Sequence, residues 1–178
     1  EEAQVILQDL ANLPFCVKEI ERKERRKYPP PPYITSQLQQ EAWRKLHFPA
    51  KKTMSLAQGL YEGVDLGPEG RVGLITYMRT DSVRISPQAL EEVRQFIGKK
   101  FGSSHLPEKP NFYKSRKTAQ EAHEAIRPTS MKYEPEAVKS SLSKDQFALY
   151  ELIWNRFVAC QMNPALYDQT VVEIQAGK

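Results

Sequence analysis

Residues 73–82 read Gly-Leu-Ile-Thr-Tyr-Met-Arg-Thr-Asp-Ser, an apolar run that ends in a tyrosine with an arginine two residues later. In an extended segment, residues i and i+2 project to the same side, so Tyr77 and Arg79 are expected to face one target, with Asp81 next in line. A phenol is a weak nucleophile at neutral pH unless nearby charge assists it, and a guanidinium matches phosphate oxygens. The pattern favours a tyrosine and an arginine that act together on a phosphate.

Three more blocks point, with residues 73–82, to one known family. Residues 32–42 read Pro-Tyr-Ile-Thr-Ser-Gln-Leu-Gln-Gln-Glu-Ala, residues 51–63 include Lys-Lys-Thr-Met and Ala-Gln-Gly-Leu-Tyr-Glu-Gly, and residues 120–129 read Gln-Glu-Ala-His-Glu-Ala-Ile-Arg-Pro-Thr. The four blocks, in this order, resemble the tyrosine-bearing part of the type IA DNA topoisomerases. Met78, between the tyrosine and the arginine, resembles the bacterial topoisomerase I branch, because topoisomerase III relatives commonly have proline there.

The resemblance implies catalytic roles for Tyr77 and Arg79. Tyr77 would attack a phosphodiester of single-stranded DNA and keep the 5′-phosphate, and Arg79 would stabilise the transition state. His123, Arg127 and Asp81 are the implied DNA-binding residues. We expect a short helix over residues 119–126, and Arg127, four residues after His123, either shares the helical face of His123 or is turned away by Pro128. For Asp81 the sequence leaves two roles open, which are to orient Arg79 or to cap a helix that begins after residues 80–82.

The resemblance also implies partners that this sequence does not contain. The family joins the tyrosine to a metal-binding domain with a D-x-D-x-E carboxylate cluster, and no such cluster occurs here. We therefore expect no cofactor or metal in this chain and Mg²⁺ in the missing domain. The expected partners are single-stranded DNA and the remaining domains of the same enzyme. As a fragment, the chain alone is expected to fold and to be inactive in DNA relaxation.

Composition sets broad limits on the class of protein. The chain has 178 residues, 40% hydrophobic and 27% charged, with a net charge of +4 and a pI near 9.0, a mild preference for polyanions. It has no apolar run of membrane-spanning length and no leader pattern, so we expect a cytoplasmic protein with no membrane partner. Cys16 and Cys160 form no C-x-x-C pair, and both are expected to be small core residues in a reducing compartment.

The patterning predicts a mainly α protein with a small β portion. Residues 15–26 and 167–174 are expected to be strands that pair with each other. They would form part of a strand-rich hinge or arch domain from residues 1–32 and 164–178, and residues 33–163 would be a helical domain carrying Tyr77. Apolar spacing and start signals predict helices over residues 1–13, 36–46, 51–61, 88–101, 119–126 and 143–161. The start signals include Thr35 or Ser36 as one N-cap, and Ser86 as another N-cap with Pro87 at the first helical position.

Two other classes of protein stay open at this point. The two helices over residues 36–61 could form a helix-turn-helix that binds DNA without catalysis, although simple packing is the commoner role of such a pair. The chain could also be a structural adaptor in which Tyr77 is an ordinary core aromatic. The exposure of the Tyr77 side chain separates the second alternative from the enzyme.

Overall fold

The structure, a computed structural model, describes residues 2–114 and 123–177 and is mainly α with a small β portion, as predicted. Its contacts divide the chain into two units, Glu1–Tyr28 with Pro164–Lys178, and Pro29–Asn163. In chain order the elements are α1 (Glu2–Ala11), β1 (Phe15–Lys27), α2 (Thr35–Leu46), α3 (Ala50–Glu62), β2 (Val64–Asp65), β3 (Arg71–Val72), α4 (Pro87–Phe101), α5 (Pro135–Val138), α6 (Lys144–Cys160) and β4 (Ala165–Ala176).

The first unit is a two-stranded antiparallel ribbon with α1 before it in the chain. β1 and β4 pair from Phe15 opposite Ala176 to Lys27 opposite Ala165, with one irregularity between Val17 and Glu19. These are the two strands that the sequence predicted to pair. Every β1 residue is exposed, so the ladder hydrogen bonds and cross-strand pairs hold the ribbon instead of a buried core.

The second unit is built around α6, and the apolar face of this helix is buried in the core of the unit. The helix begins with a capping box, in which the Ser143 hydroxyl accepts from the Gln146 N–H and the Gln146 side chain accepts from the Ser143 N–H. Its buried residues are Leu149, Tyr150, Leu152, Ile153, Trp154, Phe157, Val158 and Cys160. α4 begins as predicted, with Ser86 as the N-cap and Pro87 as the first helical residue.

α2 and α3 form the predicted helix pair, joined by residues 47–49. His47 ends α2 in the left-handed conformation (φ 56°), which turns the chain sharply into α3. The prediction that Thr35 or Ser36 caps α2 is wrong, because Ile34 is the N-cap and has no side-chain capping bond. The Thr35 hydroxyl is engaged elsewhere, with the backbone of Met78 and Thr80.

Two further expectations are corrected by the structure. Residues 123–125 are not helical and Ile126 forms a β-bridge with Tyr33, so the helix predicted over residues 119–126 is wrong for its last four residues. Residues 119–122 lie outside the described part of the chain. Cys160 is buried as expected, whereas Cys16 lies on the exposed β1 strand. No described helix has the length and apolar character needed to cross a membrane.

The two cysteines should differ strongly in reactivity. Burial raises the pKa of the Cys160 thiol to about 12, so almost no thiolate is available to a reagent in the folded protein. Cys16 is exposed. In a thiol-labelling assay at pH 8, we expect one fast-reacting cysteine, lost in Cys16→Ser, and a second that reacts only after denaturant is added. Rapid labelling of Cys160 in the native protein would contradict the burial.

Candidate active site

The segment that carries Tyr77 is held at its start by backbone hydrogen bonds. Ile75 forms an isolated β-bridge with Pro128, the Thr76 N–H donates to the Arg127 carbonyl at 2.9 Å, and the Thr129 N–H donates to Leu74 at 3.0 Å. After Thr76 the chain bends instead of continuing as a strand. The expectation that Tyr77 and Arg79 lie in an extended, strand-like segment is therefore wrong.

Side-chain burial nevertheless alternates along this bent segment. Tyr77, Arg79 and Asp81 are exposed, whereas Met78, Thr80 and Ser82 are buried. Burying Met78 at 1% exposure anchors the segment in the hydrophobic core and leaves its alternate residues outside. The expectation that Tyr77 and Arg79 share one side of the chain agrees with this pattern, although the backbone is not a regular strand.

Tyr77 lies in the middle of three aromatic rings. Its side chain is 42% exposed, and its ring centroid lies 5.4 Å from that of Tyr61 and 6.1 Å from that of His123, both in edge-on arrangements. Gly73 permits this geometry, since a Cβ there would lie 2.6 Å from the Tyr61 carbonyl oxygen at the end of α3. Tyr77 is therefore not a core aromatic, which removes the adaptor alternative.

A groove of about 480 Å³ lies beside Tyr77, between its segment and the start of α2. Arg79, Asp81 and His123 line it together with residues of the first turn of α2 and its N-cap. The guanidinium and the partial positive charge at the N-terminus of α2 favour an anion in this groove, and the Asp81 carboxylate limits that preference. The alternative that Asp81 caps a following helix is wrong, since α4 begins at Pro87 with Ser86 as its cap.

Arg127 differs from Arg79 because its guanidinium bonds to the protein itself. Its Nε donates to Glu124 at 2.7 Å, its Nη1 to the Pro128 carbonyl at 2.8 Å, and its Nη2 to the Ser86 hydroxyl at 3.4 Å. The side chain is only 12% exposed. The structure thus ties residues 124–128 to the start of α4 through Arg127, and a DNA contact by this residue stays a prediction.

Sequence reasoning gave no role to Tyr61 or Thr76. Both lie inside the blocks that carry the family resemblance, and their position in these blocks is the only sequence signal that points to the site. Thr35, assigned to a helix cap, instead contacts the Tyr77 segment.

The described residues offer no fit for a metal ion. Within residues 2–114 and 123–177, no group of three or more His, Cys, Asp or Glu side chains is arranged to hold one. The placement of Mg²⁺ in another domain, which the resemblance implies, stays a prediction, and no chemical step is assigned to the ion here.

This geometry defines a solvent-open, tyrosine-centred site with an anion-favouring groove, and comparisons with known proteins place it in a family. A family model described as DNA topoisomerase matches residues 1–178. DNA topoisomerase 1 of Rickettsia prowazekii is 52% identical over 175 residues, and that of Xylella fastidiosa is 52% identical over 176 residues; each alignment covers 98% of this chain. The full-length topoisomerase I structure from Thermotoga maritima is 41% identical over 97% of the chain, with a TM-score of 0.78.

The chain belongs to the bacterial type IA DNA topoisomerases. It spans 22% of the length of the Rickettsia prowazekii and Xylella fastidiosa relatives and 27% of the Thermotoga maritima chain. The family resemblance of the four sequence blocks is thereby confirmed. The roles of the individual site residues stay predictions.

The two arginines should respond differently to truncation. Arg127→Ala removes three hydrogen bonds and leaves a part-buried Glu124 without its ion pair, so we expect a loss of about 1–3 kcal/mol in the free energy of unfolding. Arg79→Ala, at an exposed position, should change it by no more than about 0.5 kcal/mol. Urea unfolding of this chain measures both values. Equal losses would contradict the assignment of Arg127 as the structural member of the pair.

Proposed function

We propose that this chain is the nucleophile-bearing part of a type IA DNA topoisomerase that cleaves and reseals one DNA strand and thereby relaxes negative supercoils. The observation that supports this function best is the half-exposed Tyr77 ring beside His123 and the groove lined by Arg79. The family match over residues 1–178 supports the substrate class.

The proposed chemistry exchanges one phosphodiester for another. The Tyr77 oxygen bonds to a backbone phosphorus of single-stranded DNA, the bond from phosphorus to the 3′-oxygen breaks, and the phenolic proton ends, in the net reaction, on the 3′-hydroxyl. The protein then holds the 5′-phosphate as a phosphotyrosine. Because a phosphodiester is retained, the 3′-hydroxyl can attack the phosphotyrosine and reseal the strand without ATP. Passage of another strand between the two steps changes the linking number.

The groove supplies the electrostatic part of this proposal. Arg79 would neutralise charge that develops on the phosphate oxygens during both steps, when the phosphorus is pentacovalent. His123 would contact a neighbouring phosphate, with its ring held 6.1 Å from that of Tyr77. Asp81 lines the same groove and would orient Arg79 or a part of the DNA. Arg127 would act mainly by holding the segment that carries His123.

We assign two further tasks of the enzyme to the part of the relatives that lies outside this chain. Magnesium binding and strand passage are assigned to domains outside this chain, since the described residues offer no metal cluster. The isolated chain should therefore fold without magnesium and should not relax supercoiled plasmid. Robust relaxation by the chain alone would overturn its assignment as a partial enzyme.

The helix-turn-helix alternative has less structural support. α3 packs against both α2 and α6, so its apolar face is used within the unit. Lys52, one of the two lysines that could contact DNA from this helix, forms an ion pair with Asp145 at 2.7 Å and lies over the Phe48 ring at 4.0 Å. These contacts are those of a packing helix.

Tyr77→Phe tests the nucleophile directly. The variant is made in a full-length chimera, in which this chain replaces the matching segment of the Xylella fastidiosa DNA topoisomerase 1. Removing one exposed hydroxyl should leave folding and noncovalent binding of single-stranded DNA unchanged and should abolish the covalent adduct, seen as a denaturant-resistant band with labelled DNA. Tyr61→Phe is the matched control, because it removes a neighbouring hydroxyl and should leave the adduct. Adduct formation by Tyr77→Phe would exclude Tyr77 as the nucleophile.

Arg79→Lys in the same chimera tests the guanidinium. Lysine keeps the charge but loses the planar pair of donors, so single-turnover cleavage should fall about ten-fold or more. Arg44→Lys on α2 is the control, since Arg44 is exposed and pairs with Glu41 on its own helix. Cleavage at the unmodified rate by Arg79→Lys would remove Arg79 from the reaction.

A further inference from the structure

Two threonine hydroxyls hold the backbone on either side of Tyr77 and Arg79. Thr76 precedes the tyrosine directly, and Thr35, at the start of α2, reaches the residues that flank the arginine. Both hydroxyls bond to backbone groups that lie more than 40 residues away in sequence. Neither contact is part of a regular helix or sheet.

The Thr76 hydroxyl joins the tyrosine segment to the segment of His123. It donates to the Ala125 carbonyl at 2.7 Å and accepts from the Arg127 N–H at 3.0 Å. Together with the backbone bond from the Thr76 N–H to the Arg127 carbonyl at 2.9 Å, these contacts fix the residue before Tyr77 against residues 125–127. His123 lies two residues before Ala125, so the same contacts help to set the spacing of the two rings.

The Thr35 hydroxyl holds the backbone on both sides of Arg79. It donates to the Met78 carbonyl at 2.8 Å, with the Thr80 carbonyl also within 3.0 Å, and accepts from the Thr80 N–H at 2.9 Å. The Thr35 N–H donates to the Thr80 carbonyl at 3.0 Å. One short side chain thus binds the backbone immediately before and after Arg79.

We infer that Thr35 and Thr76 are positioning residues for the cleavage reaction, which hold Tyr77, Arg79 and His123 in one geometry through their hydroxyl groups. This inference rests on the proposed function. The segment that carries Tyr77 and Arg79 is bent and does not belong to a sheet, so the two hydroxyls supply hydrogen bonds that a sheet would otherwise provide. They leave the side chains of Tyr77 and Arg79 free to face the substrate.

A reaction that depends on alignment is sensitive to small displacements. Loss of the Thr76 hydroxyl leaves the Arg127 N–H without its acceptor. Loss of the Thr35 hydroxyl likewise leaves the Thr80 N–H without its acceptor. The backbone would then shift to satisfy these donors. Displacement of a reacting group by about 1 Å can reduce a rate about 100-fold, whereas DNA affinity, spread over many phosphate contacts, changes much less.

The test compares hydroxyl loss with methyl loss at each position in the full-length chimera. Thr35→Val and Thr76→Val keep the branched shape and remove the hydroxyl, and Thr35→Ser and Thr76→Ser keep the hydroxyl. Thr53→Val is the matched control, because the Thr53 hydroxyl donates to the backbone carbonyls of Phe48 and Pro49, just before α3, and Thr53 does not line the groove. Each variant is assayed for single-turnover cleavage of a single-stranded oligonucleotide with magnesium and, separately, for noncovalent affinity.

We expect Thr35→Val and Thr76→Val each to cleave at least about ten-fold more slowly than the parent, with affinity within about three-fold. The serine variants should recover to within about three-fold of the parent rate, and Thr53→Val should cleave at the parent rate. If a valine variant is not folded by circular dichroism, the alanine variant at that position is measured instead, with the same expectations.

Three results would overturn the inference: parental cleavage by the folded variants that lack the hydroxyl, serine variants as slow as valine variants, or an equal loss in Thr53→Val. Tyr77→Phe in the same assay separates this outcome from failure of the proposed function. If Tyr77→Phe still forms the adduct, the nucleophile is wrong. If it forms none while the threonine variants cleave normally, only the positioning role is excluded.

Discussion

The hydrogen bonds between residues 74–76 and residues 125–129 are the constraint on which the site depends. They join stretches of chain about 50 residues apart, and closing such a loop costs conformational entropy that local structure does not repay. Burial of Ile75 and Ile126 on either side of the junction offsets part of this cost. The junction helps to bring His123, which lies in no helix, to the ring of Tyr77.

Burial distinguishes the two arginines, Arg79 and Arg127, to which the resemblance gives contacts with DNA. Arg79 is exposed and lines the groove, where its donors are available to a phosphate. Arg127 directs its donors to Glu124, Ser86 and a backbone carbonyl, which satisfies a largely desolvated charge. A buried guanidinium with three internal partners orders the protein, whereas an exposed one beside a nucleophile is able to bind a ligand.

Features with local causes could be predicted from the sequence. The Ser86-Pro87 start of α4, the long helix that begins after Ser143 and the extended conformation of the two terminal strands each depend on neighbouring residues, and each agrees with the prediction. Features with distant causes could not be predicted. Thr35 has the chemistry of a helix cap, but its hydroxyl bonds to the backbone of Met78 and Thr80, more than 40 residues later in the chain. For the same reason, the motif resemblance predicts which residues form the site, and only the structure could show how they are arranged.

The exposure of Tyr77 has a further physical consequence. A guanidinium in contact with bulk water stabilises a developing charge much less than one in a water-poor site, because the solvent screens the interaction. The groove beside Tyr77 is open, so Arg79 would reach its full effect only when another surface covers the phosphate. The chain spans 22% of the length of its relatives, and the proposed function assigns magnesium binding and strand passage to their additional length. Under that proposal, Arg79 would stabilise the transition state less in the isolated chain than in an enzyme whose additional length covers the groove.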